Sequence, residues 1–409
     1  MSLRKLDVVI VGAGFSGLFL LHKLRSSGFS VAVIEKADQL GGTWHWNRYP
    51  GARCDIPSLQ YSYQFDEDLQ QDWNWSEKYS AQPEILEYLN HVADRFDLRK
   101  DIEFNTEVIS ARFNEEKSLW EIKTSQGELE TKFCVMATGC LSAPNTPDFK
   151  GLDDYEGQFL HTGKWPQTQV DFTDESVAII GTGSSSIQSI PVIAEQAKHL
   201  YVFQRTANYS IPSNNGPMDP TEEAEVKSRY PEFRKENWEN GFGIAGMAIE
   251  EMAVEDDEQG REEKFNHHWE NEGLGFLGAY ADLMLDKDAN EMAASFARDK
   301  IKEIVKDAEG FVYSVNVEGQ TGVKSANLDK VNSQIERIKK FTTIPVVSGF
   351  GIKNEEDVKV FSKSKADGIV LGSAIVKKIQ EKYHETRDKH IVANFLKSYC
   401  KELIKNLNK

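Results

Sequence analysis

The chain alternates between short apolar runs and amphipathic stretches, and those periods predict its elements. Asp7 to Val11 is a compact β-branched run, the pattern of a strand buried on both faces of a parallel sheet. Helical spacing follows from Leu18 to Leu24, and a second apolar strand, SVAVIEK, ends on Glu35. The same order recurs in SVAIIGTGSSSIQSIP and HLYVFQRTANYS, as strand, glycine loop, helix and strand. From Asp219 to Asp307 the spacing is helical and rich in Glu, Lys and Ala, as in ANEMAASFARDKIKEIVK. An alternating series then returns: GFVYSV, GQTGVKSA, an amphipathic helix with SQIERIKKF, IPVVSGFGI, a helix with NEEDVKVF, ADGIVLGSAIV and closing helices. Strands alternating with helices predict an α/β chain with parallel sheets.

Composition divides this series. The chain has 409 residues and a net charge of −17, a length that predicts two to four domains at ~100–200 residues each. From Ala308 to Lys409 there are 18 basic and 12 acidic residues, against 30 and 53 before it. All 8 Trp precede Ala308, and Pro345 is the only Pro beyond it. A boundary is therefore predicted within Asp299 to Val315. The acidic balance argues against nucleic acid or an anionic membrane as partner. No apolar window approaches the ~18 residues of a membrane-spanning helix, and the N-terminus enters a strand at once instead of reading as a signal peptide. Cys54, Cys134, Cys140 and Cys400 show neither zinc spacing nor disulfide density, so no metal and a reducing cytoplasm are expected.

The glycine loops carry the first chemistry. Gly12-Ala13-Gly14-Phe15-Ser16-Gly17 joins strand to helix, with Glu35 eighteen residues beyond Gly17. In that context the glycines permit a tight turn, close approach of a pyrophosphate, and helix–strand packing. The helix N-terminus stabilises phosphate charge, and Glu35 can accept from a ribose hydroxyl. A plain glycine turn is the structural alternative. The following DQLGGTWHWNRYPGARCDIPSLQYSYQF combines Gly41-Gly42 with a dense run of Trp, Tyr and Arg. It reads either as an aromatic core loop or as a loop enclosing an apolar cofactor ring.

GAGFSG, GGTWHWNRYPGARCD, SAQPEILEYL and YEGQFLHTGKWP together resemble the Baeyer–Villiger monooxygenases, flavoproteins that insert oxygen beside a ketone carbonyl. The last run matches the family pattern F-x-G-x-x-x-H-x-x-x-W-P, with Tyr155 for Phe and then Gly157, His161, Trp165 and Pro166. The resemblance runs from about Asp7 to Asp307. It implies FAD contacts from Ser16, Glu35, Thr43, Trp44, His45, Trp46, Asp55, Tyr61 and Val108, beside Gly12, Gly14 and Gly17. Arg53, Cys54 and Asp55 would lie where nicotinamide meets flavin, with Asp55 in the catalytic charge network. His161 would link the two nucleotide domains. In the second loop, Gly181-Thr182-Gly183-Ser184-Ser185-Ser186, Ser stands at the third glycine position, and the next strand ends in Arg205 instead of an acid. A cation there can grip a 2′-phosphate that an acid would repel. The resemblance assigns NADPH to Gly181, Gly183, Ser184, Ser185, Ser186, Ile187, Gln188, Arg205 and Thr206; a purely structural Arg205 is the alternative.

After Asp307 the family's returning segment, with its active-site Arg, is replaced by other sequence. GFVYSV, QTGVKSA, VSGFGI and DGIVLGSAIVK resemble the C-terminal part of the tryptophan synthase alpha subunit, about three or four of eight βα units. That resemblance places Thr321, Gly322, Gly349, Gly351, Gly372 and Ser373 at a phosphate; simple turns are the alternative. Its catalytic acids come from early strands not present here, so neither lyase activity nor a beta-subunit partner is expected.

The expected architecture is α/β. Two incomplete Rossmann-like units (FAD at 1–145, NADPH at 146–218) would precede a helical insertion (219–307) and a partial (β/α)8-barrel segment (308–409). The leading functional reading is an FAD- and NADPH-dependent monooxygenase acting on a small ketone and O2, impaired or uncoupled for want of its Arg. A non-catalytic fusion that at most binds nucleotides, and a phosphate-ligand or aldol-lyase module, remain alternatives.

Overall fold

β1 (Arg4–Val11) lies inside a six-stranded sheet, which explains its unbroken apolar run: Val8, Val9 and Ile10 are all buried. The computed structural model describes residues 4–141, 143–205, 208–241, 243–245, 250–271, 273–305, 311–315, 328–340, 343–349, 358–359 and 361–407. They form two compact units, Met1–Asn290 and Glu291–Lys409.

In the first unit, α1 (Phe15–Ser26) connects β1 to the parallel β2 (Val31–Ile34), with Val9 opposite Ala32. Three helices follow: α2 (Thr43–Trp46), α3 (Glu67–Asp72) and α4 (Gln82–Arg95). Asp66 caps α3 by accepting from the Leu69 N–H at 2.7 Å. In α4, Ile85, Tyr88, Leu89, Val92 and Ala93 recur at i, i+3, i+4, i+7 and i+8 and bury one face. β3 (Ile102–Glu103) pairs with β2, and β4 (Val108–Asn114), β5 (Leu119–Thr124) and β6 (Gly127–Met136) form an antiparallel meander. β6 then runs parallel to β1 from Leu129 opposite Arg4 to Met136 opposite Val11, giving the order β3-β2-β1-β6-β5-β4. β5 pairs only Gly127 to Thr131 of β6. Among the described residues, the outer edge of β6 from Lys132 to Met136 has no strand beside it.

β7 (Ser176–Ile180), α5 (Ser184–Gln196) and β8 (His199–Phe203) form a βαβ unit whose parallel sheet has two strands among the described residues. With so little cover, Ile180 and Phe203 are 62 % and 56 % exposed. The stretch expected to be helical contains α6 (Pro220–Ser228), α7 (Tyr230–Glu239), α8 (Glu258–Asn271) and α9 (Lys287–Val305), and the unit boundary falls inside α9, after Asn290. α7 delivers the buried Arg234, which lies 4.8 Å from the Tyr230 ring and donates to Gln70 Oε1 and Ser62 Oγ.

Among its described residues the second unit has three parallel strands in the order β11-β10-β9: β9 (Val312–Val315), β10 (Val346–Gly349) and β11 (Gly368–Val370). α10 (Leu328–Lys339) lies between the first two in sequence; α11 (Ser373–Thr386) and α12 (Lys389–Leu407) follow β11. Val331, Ile335, Val346, Val358, Phe361 and Leu403 form its core. No helix among the described residues is long and apolar enough to cross a membrane.

Candidate functional site

The first glycine loop is built by close backbone approach. Gly12 has φ +105°, and a Cβ there would stand 2.6 Å from the Ala137 carbonyl oxygen. A Cβ on Gly17 would stand 1.9 Å from the Gly12 carbonyl oxygen, so α1 packs onto the loop only because Gly17 lacks a side chain. α1 has Gly14 as its N-cap residue, with no side-chain cap and no acid in the first turn, and Ser16 is exposed. Its first N–H groups are therefore available to an anion. Glu35 is buried at the tip of β2 and takes two backbone hydrogen bonds, from Ala13 N–H at 2.7 Å and Ala37 N–H at 2.8 Å. A carboxylate has about four lone-pair sites, so capacity remains for a ribose hydroxyl. The Asn105 and Thr106 N–H groups donate to the carbonyls of Ala37 and Glu35, which brings Val108, at the start of β4, to the same end of the sheet.

The aromatic loop packs beside it. Trp44 Nε1 donates to the Tyr61 hydroxyl at 3.1 Å with the rings edge to face, and Gln82 Nε2 donates to the Trp44 carbonyl. Burial pushes the Tyr61 hydroxyl up to about 12, so it stays protonated at neutral pH. Thr43 and Trp46 complete α2. His45 is buried with Nε2 3.5 Å from Asp38 Oδ1, while its Nδ1 has no partner among the described residues. Burial, reinforced by Arg48, lowers the His45 pKa and favours the neutral ring. An orphaned polar atom, a glycine cradle that Cβ atoms would fill and an aromatic wall fit a dinucleotide with an apolar ring.

The second glycine loop meets this unit at residues 49–55. Gln188, one turn into α5, accepts from the Tyr49 hydroxyl at 2.9 Å and from Arg53 N–H at 3.4 Å. Its Nε2 donates to the Arg53 carbonyl at 3.1 Å and to Asp55 Oδ1 at 2.9 Å. The Arg53 guanidinium donates to Glu77 Oε2 and the Tyr79 carbonyl. Asp55 is exposed, and among the described residues its hydrogen-bond partner is Gln188. Cys54 is buried; that burial pushes its thiol up to about 12 and favours the protonated form at neutral pH. The second loop carries Ser186 at the third glycine position, and there is more room around its glycines than at Gly12 and Gly17. The Ser186 Oγ lies 3.8 Å from where a Gly181 Cβ would be, and nothing lies within 4 Å of one on Gly183.

Comparison with known proteins decides the family. The family model described as pyridine nucleotide-disulphide oxidoreductase matches residues 9–259. The chain belongs to this family. Within it, the N-terminal region matches Baeyer–Villiger monooxygenases. It is 45 % identical over 308 residues to a Baeyer-Villiger monooxygenase of Pseudooceanicola batsensis, covering 74 % of this chain and 56 % of that protein. It is 38 % identical over 308 residues to cyclohexanone 1,2-monooxygenase of an Acinetobacter species, with the same coverages. The solved structure of oxidized steroid monooxygenase bound to NADP aligns with TM-score 0.72 and 50 % identity, over 74 % of this chain and 58 % of that one. The chain thus spans somewhat over half the length of these relatives. A second family model, tryptophan synthase alpha chain, matches residues 291–407, and the second compact unit also begins at Glu291. The chain joins sequence of two families.

The remaining positions can be read on this oxidoreductase frame. Ser184, Ser185, Ser186 and Ile187 form the first turn of α5. Arg205 is exposed two residues past β8, and Gln204 Nε2 donates to Thr182 Oγ1 at 2.7 Å; Thr206 lies outside the described residues. His161 lies in the connection between β6 and β7, where Nδ1 accepts from Gly163 N–H and Nε2 lies 3.2 Å from the Asn145 carbonyl oxygen. In the second unit Gly349 ends β10 opposite Val370, and Gly372-Ser373 begin α11 just past β11, at the same end of the sheet. Thr321, Gly322 and Gly351 lie outside the described residues. Among the described residues, no group of three His, Cys, Asp or Glu is placed to hold a metal. Tyr49, Gly51, Glu77 and Gln82 are site-building residues to which the sequence reading gave no role, although Tyr49, Gly51 and Gln82 lie inside the motifs quoted above. Gly51 had a signal in the YPGA turn: with φ +77°, a Cβ there would stand 2.1 Å from the Gln188 carbonyl oxygen.

Proposed function

We propose that the chain binds FAD on its first glycine loop and NADPH on its second, as an oxidoreductase of the flavin monooxygenase type. The observation that carries this reading is the Gln188 joint, which holds the second loop's helix against Arg53 and Asp55. The chemistry that FAD supplies when bound is two-electron transfer from NADPH to O2. The chain's own residues bind and orient. Gly12, Gly14 and Gly17 admit the pyrophosphate to the N-terminus of α1, with Ser16 beside it. Glu35 accepts from the ribose, and Val108 borders the nucleoside. Thr43, Trp44, His45, Trp46 and Tyr61 enclose the ring. Gly181, Gly183 and the first turn of α5 hold the second pyrophosphate, and Arg205 with Thr206 takes the 2′-phosphate. Arg53, Cys54 and Asp55 stand where the two cofactors meet, with Asp55 contributing charge.

The substrate class is a small ketone, by likeness to relatives named for cyclohexanone and acetone. Residues 1–145, 146–218 and 219–307 act as FAD-binding, NADPH-binding and helical segments. Residues 308–409 form part of a (β/α)8 barrel, with Gly349, Gly372 and Ser373, and with Thr321, Gly322 and Gly351, at a phosphate. Because tryptophan-synthase-like sequence stands where the returning segment would follow, turnover is uncoupled: NADPH, H⁺ and O2 give NADP⁺ and H2O2.

The absorbance spectrum of the purified full chain tests this. Retained flavin bands that NADPH bleaches without air, and peroxide formed one for one with NADPH consumed in air, are expected. A colourless chain that takes up no added FAD would overturn the reading. Ketone-dependent ester formation matching NADPH consumption would overturn the uncoupled part alone. Arg205→Ala should raise half-saturation for NADPH about 10- to 100-fold and leave NADH unchanged, as expected for losing a charge-assisted hydrogen bond worth ~1.5–3 kcal/mol. Parallel titrations with both nucleotides check it.

A further inference from the structure

The Gln188 carboxamide is saturated. Its oxygen accepts two hydrogen bonds, from the Tyr49 hydroxyl and Arg53 N–H, and its nitrogen donates two, to the Arg53 carbonyl and Asp55 Oδ1. A primary amide has two acceptor sites and two donor hydrogens, so no capacity is left for a nucleotide. The network also sets the orientation of the amide: turned over, its NH2 would face the Arg53 N–H and its oxygen would face two acceptors, the Arg53 carbonyl and Asp55 Oδ1. The surrounding backbone is equally close. The Gln188 carbonyl oxygen would lie 2.1 Å from a Cβ on Gly51, and Val192 Cγ2 3.2 Å from it.

We propose that Gln188 is the positioning residue of the joint: it acts through Asp55 and the Arg53 peptide, orienting them toward the second glycine helix, and not as a ligand of the nucleotide. This deepens the proposed function and rests on it for the redox consequence only. With Gln188 in place, the Asp55 carboxylate is held at one oxygen and the 49–55 loop keeps its register against α5. Without the donor, Asp55 turns to solvent, and the relative placement of the two cofactor sites loosens while each site keeps its own contacts.

The test uses the full chain with Gln188→Glu, Asp55→Asn and the double variant. Glu at 188 keeps the acceptor for Tyr49 but sets a carboxylate against Asp55; Asn at 55 restores a donor facing it. The thermal midpoint followed by tryptophan fluorescence, without nucleotide, should fall by several degrees in Gln188→Glu, and the double variant should recover more than half of the loss. In flavin-loaded chain, NADPH-driven bleaching should slow about tenfold or more in Gln188→Glu, with half-saturation for NADPH moved less than threefold. A double variant no more stable than Gln188→Glu would overturn the proposal. So would a change confined to NADPH half-saturation, the mark of a nucleotide ligand. If wild-type chain binds no flavin, the functional reading fails, and the midpoint comparison still decides the Gln188–Asp55 interaction.

Discussion

Gly17→Ala is expected to cost the first unit about 3 kcal/mol or more and to leave a chain that no longer retains flavin. The added methyl would sit 1.9 Å from the Gly12 carbonyl oxygen and 3.0 Å from its carbon. Both are backbone atoms of a loop tied into the sheet, since Gly12 N–H donates to the Ile34 carbonyl. Overpacking a well-packed core typically costs ~1–3 kcal/mol when side chains can shift. Here α1 itself must move off the loop, so the upper end or beyond is expected. The fluorescence of the eight tryptophans isolates this effect, because all of them, through Trp269, lie in the Met1–Asn290 unit. Gly14→Ala is the control: its methyl would meet Gly42 Cα at 3.4 Å, and Gly14 has the β-region φ of −84°. That variant should unfold within about 1 kcal/mol of the parent yet bind FAD more weakly, because the methyl crowds Gly42 at the loop that would hold the pyrophosphate. A Gly17→Ala chain that unfolds with the parent would refute the packing argument.

Glu35→Gln is expected to destabilise the same unit by about 1–3 kcal/mol, the cost of a buried donor left unpaired. Both carboxylate oxygens accept from backbone, one from Ala13 and one from Ala37. A carboxamide can satisfy one of them, and its NH2 must then face the other N–H. The loss lands on the loop that would hold a pyrophosphate and on the acid that would hold a ribose, so FAD affinity falls as well. Urea unfolding followed by tryptophan fluorescence, together with flavin content after purification, checks both. An unchanged midpoint would show that water replaces the lost acceptor and that the site is open.

Much of this was legible because it is local. The strands around both glycine loops, the acid after the first and the βα series at the end are short-range patterns, and the structure has β1, β2, β7, β8 and β9 to β11 where those patterns lie. Val108 carried no local signal; its place follows from two backbone hydrogen bonds between residues 105–106 and the end of β2. Ser186 weakened the second motif on paper, because a bulkier residue at a helix–strand contact costs packing. Around the second loop a Cβ on Gly181 or Gly183 would meet nothing closer than 3.8 Å, room that no motif records.

By itself the sequence determined the two families and the two glycine loops with their opposite terminal charges, and it placed a change of character at Ala308, whereas the tryptophan synthase match and the second compact unit begin at Glu291. These are properties of neighbouring residues and of composition. Only the tertiary structure decided which groups meet. Gln188 lies more than 130 positions from Tyr49, Arg53 and Asp55, yet a single carboxamide pairs with all three. Hydrogen bonds are set by a few tenths of an ångström and by the direction of a lone pair, and separation along the chain carries neither.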